Sequence, residues 1–556
     1  MTQYQSLVEL LQERAESNKG ITFIDNSKDQ FVSYRQVYQR ALQFLAYFQS
    51  IGLAPRQKVI ILLNNNEWFL YSIWASMMGR QIPVPIAPGN NDEHRLKLFQ
   101  IWKDLNYPPV ITSYDVIGKM NDYLLESTDF PLLNLFKTKA VICGSEIFEM
   151  KSGAIVNSNL DDIAYVQYTS GTTGIPKGIA LTHRNLFANL SGMAERCRIT
   201  FDDSMLAWLP LSHDMGFSGT HLLPLFAGIN QYNIPTALFI KRPTIWLEKA
   251  TQYKNTITSS TTKGNKHYLT FLRKKREPAK LDLSRIRIIF NGAEVISASL
   301  CNEFLKELSQ YGLSQKVIYP VYGMAEASLA VTFPIPGEGL KTINVNRRIF
   351  DKDWQVSLSN REDGIELVNV GYPIDGCQLR VVNEKNMDVP EDTVGKIQIS
   401  GENVTKSIFY EGILTQTEEW VDTGDFGFVH ENHMFFVGRN RDIVRINSNV
   451  YIMSDLERLG AKIGFDSERT IFCSVLSQIV VFILYKKELA EFIPLQNKIR
   501  DYYQNQLGLQ IEYIIPIRYI PKTTSGKVQK YKLIQSLING QFDDVIERLK
   551  GDEVFY

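Results

Sequence analysis

Residues 168–178 read Tyr168-Thr169-Ser170-Gly171-Thr172-Thr173-Gly174-Ile175-Pro176-Lys177-Gly178, and no other stretch constrains this chain as much. The glycines let backbone approach an anion closely, the Ser and Thr hydroxyls add donors, and Lys177 adds a mobile cation. The run therefore has the makings of a loop that wraps a polyphosphate. It follows Ile163-Ala164-Tyr165-Val166-Gln167-Tyr168, whose β-branched and aromatic content predicts a buried strand end. A strand running into a loop is where α/β proteins place ligands. The common nucleotide loop needs Gly-Lys-Ser/Thr at a helix start, whereas here Lys177 is followed by Gly178. Taken alone, the run reads equally as a flexible surface connection.

Helical and strand signals alternate around it. Ser33 and Gln36 form a capping box, apolar residues recur at Tyr34, Val37, Ala41, Leu45 and Phe48, and Gly52 stands where a helix stop belongs. A strand over 59–63, a helix over 67–78, a strand over 82–86 and a helix over 92–105 follow. This βαβα order predicts an α/β fold, a large domain of mostly parallel sheets covered by helices. After Gly438-Arg439-Asn440-Arg441-Asp442 the texture changes to short strands (443–446, 479–485), one helix (495–506) and a basic C-terminal segment. We place a boundary there, with residues 1–437 as a large domain and 438–556 as a small mobile α+β lobe.

Composition narrows the partners. Sixty basic and sixty acidic residues cancel, which leaves no electrostatic footprint for nucleic acid or a membrane surface. The five cysteines are scattered without a Cys-x-x-Cys pair, so reduced, buried thiols are expected. The first residues lack a basic segment followed by an apolar one, and the longest apolar run, 479–485, is too short to span a bilayer. A cytoplasmic protein is the expectation.

Further motifs follow the glycine-rich run in a fixed order: Leu209-Pro210-Leu211-Ser212-His213-Asp214-Met215-Gly216, Asn291-Gly292-Ala293-Glu294, Tyr322-Gly323-Met324-Ala325-Glu326, Asp422-Thr423-Gly424-Asp425, Gly438-Arg439 and Pro521-Lys522-Thr523-Thr524-Ser525-Gly526-Lys527. In order and rough spacing they resemble the adenylate-forming superfamily, whose members activate a carboxylate with ATP. The resemblance covers essentially the whole chain. It implies that Thr169, Ser170, Gly171, Thr172, Thr173, Gly174 and Lys177 cradle phosphates, and that Glu326 holds Mg2+. It further implies that Gly292, Ala293, Glu294, Tyr322, Gly323 and Met324 form the adenine pocket, and that Asp425 and Arg439 contact ribose or phosphate. Lys527 is then the catalytic lysine that the small lobe brings onto the reacting carboxylate. His213 lies beside that carboxylate, with Met215, Asn265 and Gly323 also at the acid, and Arg441 is the hinge between half-reactions.

These residue types suit the chemistry. A carboxylate attacking the α-phosphorus of ATP is anion meeting anion, so the site must neutralise charge and hold the reactants in line. A carboxylate is the hard oxygen donor that Mg2+ prefers, an aspartate is a fixed acceptor, and an arginine is a forked donor. Each residue also has a bland reading: Glu326 as an acid in a helix's first turn, Lys527 as solvated surface charge, Asp425 as turn chemistry, His213 as a capping or core histidine. Gly464-Phe465-Asp466-Ser467 looks like a carrier attachment site but lies inside the small lobe, which leaves no room for a carrier bundle. No Gly-x-Ser-x-Gly elbow suggests a hydrolase.

Within the superfamily, Leu209 to Gly216, Phe290 to Glu294 and Tyr322-Gly323-Met324-Ala325-Glu326-Ala327-Ser328-Leu329 look most like the fatty acyl-AMP ligases. Those enzymes hand acyl adenylates to acyl carrier proteins through a phosphopantetheine thiol. The long stretch between Glu326 and Gly371-Tyr372-Pro373 resembles the insertion of that branch, which is thought to restrain the small lobe and disfavour CoA. An acyl-CoA synthetase and a non-catalytic nucleotide-binding scaffold are the alternatives. At the acyl pocket, where the branch usually shows Pro-Asn-Phe-Gly-Tyr, this chain has Gly264-Asn265-Lys266-His267-Tyr268. Either Lys266 points to water, or the acid is shorter or more polar than a long fatty acid. Arg445-Ile446-Asn447-Ser448-Asn449-Val450-Tyr451 lacks the family's glycine, and Asn447 tolerates positive φ better than most residues. Arg273-Lys274-Lys275-Arg276 could attract an acidic carrier, or is a solvated helix end.

Overall fold

The computed structural model describes residues 4–89, 92–124, 130–170, 176–274, 280–347, 350, 354–361, 364–446, 449–465, 469–476, 478–522 and 528–551. The predicted helix after Ser33 runs Tyr34–Ser50, closed by the reciprocal Ser33/Gln36 box, and its apolar stripe is buried. The next predicted elements fall at Lys58–Ile61, Asn66–Met78, Ile82–Pro85 and Asp92–Asp104, each within a residue or two of its pattern.

Two parallel sheets form the framework. Six parallel neighbours, in the order Ile318–Pro320, Ile288–Asn291, Ile257–Ser260, Ser204–Ala207, Asn230–Asn233 and Gly20–Phe23, end in one antiparallel edge strand, Gln30–Ser33. A second, all-parallel sheet orders Ile82–Pro85, Lys58–Ile61, Val110–Thr112 and Ala140–Ile142. Helices cover both sheets, as parallel strands buried on both faces require. Antiparallel sheets carry the remaining motifs. One holds the hairpin Ile163–Ser170 and Pro176–Thr182, and another holds Val421–His430 beside His433–Arg439. Beyond residue 442 a two-stranded sheet (Ile443–Ile446, Asn449–Ile452) and a three-stranded one (Thr470–Val475, Gln478–Leu484, Ile511–Ile517) enclose apolar clusters made only of residues 444–549. All five cysteines are free and buried, and no described helix is long and apolar enough to cross a membrane.

Two histidines are locked neutral in the core. His221 Nε2 accepts from Trp74 Nε1 at 3.0 Å while Nδ1 faces Gln231 Oε1 at 2.9 Å, which fixes the tautomer with its proton on Nδ1. His183 Nδ1 accepts from the Leu7 amide at 3.2 Å and so ties the N-terminal helix to helix His183–Arg196. Burial lowers both imidazoles to about 4. Between pH 6.5 and 4 the unfolded chain therefore binds more protons than the folded one, and stability present above pH 6.5 is lost as pH falls. Each histidine should cost roughly 3 kcal/mol by pH 4. Thermal melts across that window should show the fall, and a flat melting temperature would refute the neutral assignment.

Candidate active site

The two ends of the glycine-rich run lie on paired strands. Thr169 pairs with Lys177 and Tyr168 with Gly178 across antiparallel strands. The expected strand is present over Ile163–Ser170, and from Pro176 the chain returns as a second strand before helix His183–Arg196 begins under its Thr182/Asn185 capping box. A Cβ on Gly178 would lie 2.9 Å from the Tyr168 ring, so the glycine after the lysine makes room for that ring. Gly171, Thr172, Thr173 and Gly174 lie outside the described residues, as does Lys527.

One cavity of about 1440 Å3 is walled by Thr169, Lys177, His213, Met215, Ala293, Glu294, Tyr322, Gly323, Met324, Glu326, Asp425, Arg439 and Arg441. Separate elements deliver them. Asp425 and Arg439 are cross-strand partners, Arg439 Nε standing 3.5 Å from Asp425 Oδ1. Tyr322 Oη donates to Asp425 Oδ2 at 2.8 Å from 103 residues away. Burial raises the Asp425 carboxyl, with Arg439 and Tyr322 opposing, and burial beside Asp425 holds the Tyr322 phenol well above its usual range. The Tyr322 hydroxyl thus braces Asp425, a role the motif did not suggest. Gly323 is required because a Cβ would lie 2.0 Å from the Leu329 carbonyl oxygen. Ala293 has φ +66, a conformation rare without glycine.

His213 precedes the π-helix Met215–Leu222, a form that recurs at functional sites. Its Nδ1 lies 2.6 Å from Asp214 Oδ1, which also accepts from the Met215 amide at 2.6 Å. The Met215 amide also donates to His213 Nδ1 at 3.4 Å, so the carboxylate and the amide both meet the ring at Nδ1. No motif assigns Asp214 a role, although it stands beside His213 in the sequence. Crowding raises the Glu326 carboxyl, Asp214 adds to the shift, and Arg439 and Lys177 oppose it. Asp214 and Glu326 both line the cavity, and a carboxylate is the hard oxygen donor that a divalent cation such as Mg2+ takes.

Two expected contacts are elsewhere. Asn265 is fully buried in helix Thr262–Leu272 and does not reach the cavity, although Lys263 and Lys266 on that helix do. Gly292 stands behind the wall, where a Cβ would meet Val321 Cγ2 at 2.6 Å. Ser170 ends its strand. Lys263 Nζ lies 3.5 Å from Glu294, so the cation on that side is partnered. Past Met215 and Gly219 the cavity reaches Met193, Leu223 and Phe333, all buried and apolar. The Thr220 hydroxyl there is spent on the Gly216 carbonyl at 2.7 Å. Phe290, Tyr319 and Phe333 pack at ring separations of 5.6 Å beside this branch. Arg273 is paired with Glu303 and Glu307, which removes it from a free basic patch, and Lys275 and Arg276 lie outside the described residues.

The stretch after Glu326 forms a two-stranded sheet, Thr342–Val345 with Ile365–Val368, that reaches helix Met453–Lys462. Arg347 Nη1 lies 2.5 Å from Asp455 Oδ2, both side chains less than a tenth exposed, and Arg458 Nη2 donates to the Gly364 carbonyl at 2.9 Å. On the far side of that helix, burial pulls the Lys530 ammonium down. Glu457 and Asp442, at 3.1 and 3.3 Å, more than offset this and leave it above its usual range.

The sequence pattern of the AMP-binding enzyme family matches residues 11–409. Over 99% of this chain and 98% of its own length, the medium-chain fatty acid–acyl-carrier-protein ligase JamA of Moorena producens is 25% identical. TtuA of Teredinibacter turnerae, described in the same words, is 26% identical over 90% of this chain and 88% of its own. Among solved structures, a fatty acid AMP ligase from Legionella pneumophila aligns at TM-score 0.72 and 25% identity, covering 97% of this chain and 96% of that one. A fatty acyl-adenylate ligase from a study of the E. coli and L. pneumophila enzymes shares the fold at TM-score 0.86 and 24% identity, covering 96% and 98%.

Proposed function

We infer the reaction from one premise: this chain belongs to the AMP-binding enzyme family. It activates a fatty acid with ATP to acyl-AMP and pyrophosphate, then passes the acyl group to the phosphopantetheine thiol of an acyl carrier protein. In the first step a carboxylate oxygen bonds to the α-phosphorus and the bond to the β-phosphate bridge breaks. In the second the thiol sulfur takes the acyl carbon and AMP leaves. The observation that carries this reading is the convergence of Lys177, His213, Glu326, Asp425 and Arg439 on one cavity with an apolar branch.

Lys177 and Arg439 lower the repulsion between the two anions, Asp425 accepts from ribose hydroxyls, and His213, oriented by Asp214, holds the acid in line. Mg2+ bound at Glu326 would neutralise phosphate charge. The apolar branch favours an alkyl chain over a short polar acid. We also propose the division into lobes 1–437 and 438–556 with Arg441 as hinge, since lobe rotation separates two chemistries in one site.

Acid-dependent exchange of labelled pyrophosphate into ATP tests the first step, and absence of exchange with every fatty acid tried would refute it. Product analysis with CoA alone and then with a holo carrier protein tests the second. The Arg347–Asp455 pair and the Arg458–Gly364 bond favour the carrier, because they tie the insertion-like segment to the small lobe. Robust CoA thioester would favour the synthetase instead. A Cβ on Gly219 would lie 2.9 Å from Leu329 Cδ2, beside the apolar branch. Gly219→Val should therefore lower kcat/KM for long-chain acids by about 10–100-fold while ATP KM stays unchanged. An unaltered acid profile would place the alkyl chain elsewhere.

A further inference from the structure

The turn that carries Glu326 is held in a conformation that its own sequence disfavours. Ser328, two residues on, has φ +65 and ψ −44, a sparsely populated region for any residue with a side chain, and it is fully buried. Side chains from two other elements pin the turn. Ser328 Oγ donates to the Asn403 carbonyl at 2.8 Å. Asn403 Nδ2 donates to the Ala327 carbonyl at 3.3 Å and the Ala330 carbonyl at 3.1 Å. From helix His183–Arg196, Asn189 donates to the Ala330 carbonyl at 2.9 Å and accepts from its amide at 3.1 Å. The Thr405 amide donates to the Glu326 carbonyl at 2.8 Å. Asn403 and Asn189 are at most 1% exposed.

This arrangement does more than packing asks. The turn is cross-linked from both sides, and the strained residue stands two places from the one whose carboxylate faces the cavity. We propose that Ser328 and Asn403 are positioning residues: together they hold the 324–330 turn so that Glu326 presents its carboxylate to the divalent cation of the bound nucleotide. The inference rests on reading Glu326 as the residue that holds Mg2+. Outer partners of a metal-binding carboxylate fix its orientation, and losing them typically weakens metal binding by about 10–100-fold.

Glycine adopts the Ser328 backbone without strain, so Ser328→Gly folds, and it loosens the turn while deleting the Oγ bond. Ser328→Ala keeps a strained backbone and deletes only the bond, and Asn403→Asp removes the donors to Ala327 and Ala330. The measurement is calorimetric titration of the full chain with ATP, with and without Mg2+, alongside Glu326→Gln and a thermal melt of each variant. The Mg2+-dependent gain in ATP affinity should be large in the wild type and absent in Glu326→Gln. Ser328→Gly should lose about tenfold of it with a melting temperature equal to or above the wild type, and Ser328→Ala and Asn403→Asp should lose part. A full gain in Ser328→Gly and Asn403→Asp, with loss in Glu326→Gln, would overturn the positioning role and leave the metal role standing. A full gain in Glu326→Gln would overturn both.

Discussion

Lys527→Ala should lower acyl-AMP formation by about 10²–10³-fold or more, the loss expected when one preorganised cation is removed from a transition state that gathers negative charge. Pyrophosphate release with a saturating acid measures it. Transfer from supplied acyl-AMP to a holo carrier should persist, because that step breaks the mixed anhydride after the lysine's work is done. Equal loss in both steps would show that Lys527 is structural. Lys530, three residues on, pairs with Asp442 and Glu457. A misfolded small lobe would therefore show in both half-reactions and is separable from loss of the lysine itself.

Asp455→Asn should carry the second large effect. Asp455 is buried between Arg347 at 2.5 Å and Arg458 at 2.8 Å, and Asp455→Asn takes the carboxylate charge away from both guanidinium groups at a buried site. Breaking a buried pair from one side costs about 3–5 kcal/mol. Denaturant or thermal melting would report it. Arg347 belongs to the insertion-like segment and Asp455 to the proposed small lobe, so on that reading the same change should free the lobe and let CoA thioester form. Unchanged melting, with CoA thioester still undetectable, would remove the segment from any part in choosing the acceptor.

The elements were legible where the pattern was local. The Ser33 box, the alternation through residue 105, the strand Ile443–Ile446 and the helix Ile493–Leu507 follow from spacing and capping alone. The hairpin at 163–182 was not, because the run before the loop reads as a strand wherever the chain goes next. Only its partner strand reveals that Tyr168 lies over Gly178.

The site was legible as an inventory. Thr169, Lys177, His213, Glu326, Asp425 and Arg439 stand in quotable motifs and line one cavity. Asn265 was placed beside the acid by resemblance, yet its helix turns it inward, as burial of one face of an amphipathic helix demands. Ser328 and Asn403 carried no signal, since a serine and an asparagine in turns are ordinary chemistry until their backbone angles and partners are seen.

The sequence by itself determined the kinds of element, their order, and a store of cations, carboxylates and glycines suited to anions, because these depend on neighbours within a few residues. The tertiary structure alone decided which of them meet: Tyr322 with Asp425, Asn403 with Ser328, Arg347 with Asp455. Such meetings depend on sheet order and on how helices pack across it, and the chain encodes that arrangement only through all its contacts at once.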